Sequence, residues 1–81
     1  MEKELKAMNE IASYFRNEMK QEVWYAQEAN GMWEICIGNR FADKPWIEMG
    51  GMNIDQLVEV ISSLTGGFRP STHPVPLKVV K

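Results

Sequence analysis

Two runs of strand-forming residues, 22–29 (EVWYAQEA) and 32–39 (MWEICIGN), are split by Asn30-Gly31. An Asn-Gly pair between such runs is the strongest short-range sign of a β-hairpin. A type I′ turn needs positive φ at both central positions, which Asn tolerates and Gly adopts freely. The pair commits residues 22–39 to an antiparallel ribbon and, through the loop length, to a register. A two-residue loop sets Glu28 opposite Trp33, Ala26 opposite Ile35 and Trp24 opposite Ile37. Trp24, Ala26, Trp33, Ile35 and Ile37 then form the apolar face, while Tyr25, Gln27, Glu34 and Cys36 look the other way.

The flanking segments follow a helical period. Leu5, Met8, Ala12, Phe15 and Met19 recur at three or four residues, which predicts an amphipathic helix over 3–20. After the hairpin, Pro45 suits the start of a short third strand over 46–49, which Gly50-Gly51 should end. Asn53 then reads as the N-cap of a helix over 54–65. Gln56 stands at the capping-box position, and Met52 with Leu57 at the two ends of a hydrophobic staple. Leu57, Val60, Ile61 and Leu64 are its expected buried stripe, and Gly66 or Gly67 its left-handed stop.

Beyond Gly67, Pro70, Pro74 and Pro76 forbid a helix and force extended backbone, leaving 77–80 able to add a strand. The expected fold is an α+β two-layer sandwich in the order α1-β1-β2-β3-α2, with both helices on one face of an antiparallel sheet. Residues 1–67 make a single domain and 68–81 an extended, Pro-containing C-terminal tail. With three strands and two open edges, the sheet invites completion by a homodimer.

Length limits the chain to one core: 81 residues bury only roughly 60% of the surface the unfolded chain exposes. Its one cysteine, Cys36, excludes an internal disulfide. A lone thiol without a charged-then-apolar leader reads as cytoplasmic. No apolar run approaches the roughly 18 residues that would cross a membrane. Nine Lys and Arg against eleven Asp and Glu give a formal charge of −2, so nothing pulls the chain as a whole toward nucleic acid or anionic lipid.

Catalytic chemistry finds little footing. His73, the only histidine, lies among the tail prolines and reads as a solvent-exposed side chain; one His and one Cys are too few for a zinc site. Cys36 sits mid-strand with no base beside it and reads as an ordinary sheet thiol. Gly50-Gly51 lacks the lysine and spacing of a phosphate-binding loop. Glu34 and Glu48 approach across neighbouring strands, yet two glutamates on a sheet face are ordinarily just solvated. The sequence therefore points to a protein that binds rather than catalyses, without cofactor or metal.

Two kinds of partner fit. The first is a protein, met by Tyr25 and Met32 on the outward sheet face and by Arg40, Phe41, Lys44 and Trp46 in the loop before the third strand, with Arg69 in the tail. A small acidic chain of this kind would act as an accessory or inhibitory factor and self-associate. The second is single-stranded nucleic acid, bound by Arg40, Lys44, Arg69 and Lys78 with stacking on Tyr25 and Trp46.

Overall fold

The computed structural model describes residues 2–38 and 47–74. The elements follow the expected order: α1 (Glu2–Asn17), β1 (Val23–Gln27), β2 (Trp33–Ile37), β3 (Ile47–Met52) and α2 (Ile54–Thr65). The sheet is antiparallel throughout, in the spatial order β1-β2-β3. One core unites Ala7, Met8, Ile11 and Phe15 of α1 with Val23, Trp33, Ile35 and Ile37 of the sheet and Ile54, Leu57, Val58 and Ile61 of α2. Both helices therefore cover the same sheet face.

The hairpin differs from expectation by one residue. Val23 pairs with Ile37, Tyr25 with Ile35 and Gln27 with Trp33. The Glu28 amide donates to the Met32 carbonyl at 2.7 Å and the Gly31 amide to the Glu28 carbonyl at 2.9 Å, so the loop is the three residues Ala29, Asn30 and Gly31. Within the loop Gly31 alone takes positive φ, 88°, while Asn30 keeps a negative φ and its Oδ1 accepts from the Met32 amide at 2.9 Å. This is the alternative hairpin closure, a turn followed by a left-handed glycine. Because side chains alternate with period two, the slip exchanges the faces of β1. Val23 and Tyr25 point at the helices, and Trp24 and Ala26 point away.

The helix stripes are rotated as well. In α1, Leu5 is 48% exposed and Met19 lies past the helix end at 39%, while Ala7 and Ile11 are fully buried. The helix stops at Asn17 rather than at residue 20. Lys20 takes a left-handed φ of 57°, and the Gln21 amide returns to the Phe15 carbonyl at 2.9 Å. In α2 the buried stripe is Ile54, Leu57, Val58 and Ile61, with Leu64 47% exposed. Its ends are as expected. Asn53 and Gln56 form a reciprocal capping box, at 2.8 and 3.1 Å, and Gly66 closes the helix at φ 74°.

Gly50-Gly51 does not end β3 but lies inside it. Trp33 pairs with Met52 and Ile35 with Met49, so the two glycines stand opposite Glu34 alone, as a bulge with Gly51 at φ 67°. Polar ties lock α1 onto the sheet. Trp33 Nε1 donates to Glu4 Oε1 at 2.9 Å, Arg16 Nη2 donates to the Val23 carbonyl at 2.8 Å, and the Tyr25 hydroxyl bonds Asn9 Oδ1.

Residues 68–74 are non-helical and fold back across both helices. Phe68 stacks on Tyr14 with centroids 4.2 Å apart, and Pro70 is buried. Ser71 donates from its amide and hydroxyl to Glu10, each at 2.7 Å, while Arg69 makes a two-pronged pair with Glu59 at 2.7 and 3.0 Å. His73, expected in solvent, has a side chain only 15% exposed, with Nε2 3.1 Å from Asp55 Oδ1 and Nδ1 2.7 Å from Thr72 Oγ1. The expected strand at 77–80 lies outside the described residues.

Candidate functional site

With Val23, Tyr25, Trp33, Ile35 and Ile37 turned to the helices, alternation assigns the other face to Trp24, Ala26, Glu28, Glu34, Cys36 and Glu48. Neither helix packs on this outer face. Trp24 is 38% exposed there. Its strand partner is Cys36, which in turn pairs with Glu48, so aromatic, thiol and carboxylate lie side by side across three strands. Cys36 is buried although it lies outside the helix-side core.

A recess of about 340 Å³ opens between Trp24, Glu34, Cys36, Glu48, Met49 and Gly50. The bulge helps form it, because Gly50 has no side chain to fill the space. A Cβ built at Gly50 would stand 3.6 Å from Glu28 Oε2 and 3.6 Å from Glu34 Cβ. Glu34 and Glu48 therefore line a recess that includes Gly50, with Trp24 on its wall, and the Glu28 carboxylate reaches toward the same glycine. Among the described residues the rim is negative.

The second hollow, about 490 Å³, runs along α1 beside Lys6, Asn9, Glu10, Tyr14 and Phe68. It is larger but less suited to recognition. Tyr14 and Phe68 already stack on each other, and Glu10 is already bound to Ser71. Those two bonds, the hydroxyl's first and the amide's second, hold the Glu10 carboxyl below its ordinary pKa, helped by nearby Lys6. Arg69 is shifted upward by its hydrogen bonds to Glu59.

Of the sequence-predicted binding residues, the three that are described, Tyr25, Met32 and Arg69, lie in different places. Tyr25 is on the helix side, with its hydroxyl on Asn9 and its ring 6.1 Å from Trp33. Met32 is half-buried at the hairpin end, opposite Glu28. Arg69 is held by Glu59 on the helical layer. Arg40, Phe41, Lys44 and Trp46 lie outside the described residues, as does Lys78. Sequence reasoning missed Trp24 and Glu28 as outer-face residues. Only the one-residue longer loop would have exposed them, and Ala29-Asn30-Gly31 is compatible with that loop too.

No family model, curated protein or solved structure matches this chain. Among the described residues no group of His, Cys, Asp and Glu is arranged to hold a metal ion, and no helix is long and apolar enough to cross a membrane.

Proposed function

We propose that this chain is a non-catalytic protein-binding module whose outer sheet face takes a basic segment of a protein partner. One observation supports the reading: Glu34 and Glu48 line a recess beside Gly50, and the Glu28 carboxylate reaches toward the same glycine. A Lys or Arg side chain entering that recess gains the carboxylates' field and charge-assisted hydrogen bonds. An accessory or inhibitory role follows if that basic segment belongs to the partner's own working surface.

The rim's charge argues against nucleic acid on this face, since phosphates would meet three carboxylates. The cations of a nucleic-acid groove would have to come from elsewhere, and Arg69 is already paired with Glu59.

The test is a heteronuclear NMR titration with a short Arg-Val-Arg peptide, run beside a single-stranded oligonucleotide of similar length. The expected result is peptide-dependent shifts at the Trp24 indole and the Glu34, Glu48 and Gly50 amides, weakened at least tenfold in a Glu34→Lys, Glu48→Lys variant. Undiminished peptide binding by that variant, or preference for the oligonucleotide, refutes the reading.

A further inference from the structure

Building on this reading of a protein-binding module, we propose that the chain self-associates through the edge of β1, which pairs antiparallel with β1 of a second copy about a two-fold axis at Ala26. Ladder parity decides which backbone groups are on offer. Glu28 donates to the Met32 carbonyl and Gly38 to the Glu22 carbonyl, each at 2.7 Å. Even-numbered residues of β1 therefore bond to β2, and the N–H and C=O groups of Val23, Tyr25 and Gln27 point away from it. Among the described residues no strand lies on that side. The Val23 carbonyl is taken by Arg16 at 2.8 Å, which leaves the backbone of Tyr25 and Gln27 as the pairing edge.

The other edge is blunted. β3 is bent by the Gly50-Gly51 bulge, a device that discourages edge pairing, whereas β1 contains no Gly, Pro or Lys. Two copies cannot stack outer face to outer face without opposing their carboxylate rims, so charge steers self-association to the edge.

Register follows from the same residues. With Tyr25 opposite its own symmetry mate, Glu22 would face Glu28 of the partner subunit, a like-charge pair. With Val23 opposite Tyr25 of the partner subunit, the Val23 carbonyl would have to accept a strand bond where Arg16 already sits. Setting Tyr25 opposite Gln27 of the partner subunit avoids both. It joins the two free backbone pairs, places Ala26 against the partner's Ala26 on the axis, and covers Trp24 at the seam. The small alanines let the strands close between the two indoles. The two acidic recesses then lie on one continuous sheet surface.

Light scattering after size exclusion, over a range of concentrations, should give a mass of twice 9.3 kDa, and Ala26→Arg should return it to the monomer with an unchanged circular dichroism spectrum. In a Cys36→Ala background, Ala26→Cys should crosslink on mild oxidation. Facing residues of a non-hydrogen-bonded pair have Cα atoms about 4.5 Å apart, within disulfide reach. Trp24→Cys should not crosslink, because its symmetry mate lies four residues along the strand, about 13 Å away. A parent that stays monomeric at every concentration, a dimer indifferent to Ala26→Arg, or crosslinking through position 24 instead of 26 overturns the proposal. If Cys36→Ala fails to fold, the Ala26→Arg mass decides alone. A monomer that still binds the Arg-Val-Arg peptide removes the edge pairing and keeps the binding face; a dimer that ignores the peptide does the reverse.

Discussion

Replacing Gly31 with Ala, beside a separate Asn30→Ala, tests the hairpin on which the assignment of faces depends. Gly31 sits at φ 88°, and a Cβ added there meets no atom within 4 Å, so the cost is purely that of a left-handed L-residue. That cost is about 1–2 kcal/mol. Asn30 is not left-handed, and alanine there loses only an exposed hydrogen bond to the Met32 amide. The net loss is about 0.5 kcal/mol. Urea unfolding followed by tryptophan fluorescence resolves the two. With a slope of about 1 kcal/mol per molar, Gly31→Ala lowers the midpoint by about 1–2 M and Asn30→Ala by about 0.5 M. In a two-residue type I′ loop both positions would need positive φ, and both substitutions would be costly. Equal losses therefore refute the three-residue loop, and with it the outward placement of Trp24.

Three further outcomes are expected. Trp33→Ala should destabilise by about 3–5 kcal/mol in the same assay, because it empties a core site 4% exposed and removes the bond to Glu4; a loss under about 1 kcal/mol would place that ring outside the core. Lys20→Gly should stabilise by about 0.5–1 kcal/mol by relieving the left-handed residue that ends α1, and any destabilisation would contradict φ 57° there. The Glu10 carboxyl is held low by Ser71, so the unfolded chain binds its proton first as pH falls. The contact's stabilisation is complete above the ordinary carboxylate pKa of about 4.3 and is lost as pH drops through the lowered folded value. The Ser71 amide resonance should report that titration and stay flat in Glu10→Gln; a midpoint at or above the ordinary value would show that the bonds do not favour the charged form.

Features decided over a few neighbouring residues were legible in the sequence. The α2 cap was legible because Asn53 and Gln56 satisfy each other's backbone within one turn, whatever packs nearby. The hairpin's existence was legible for the same reason. Its register was not, because Asn30-Gly31 serves a two-residue loop or, with Ala29, a three-residue one, and β1 is apolar on both parities, Val23 and Tyr25 on one and Trp24 and Ala26 on the other. Only packing against α1, where Arg16 bonds the Val23 carbonyl and Asn9 the Tyr25 hydroxyl, separates the two. Local glycine rules likewise ended β3 at Gly50, while pairing with β2 carried it on to Met52 and turned the two glycines into a bulge across from Glu34. Ser71 reaches Glu10 across 61 residues of sequence, beyond any local pattern. The acidic recess belongs to this second kind: Glu28 follows β1 while Glu34 and Glu48 lie on β2 and β3, and strand register brings the Glu28 and Glu34 side chains to Gly50.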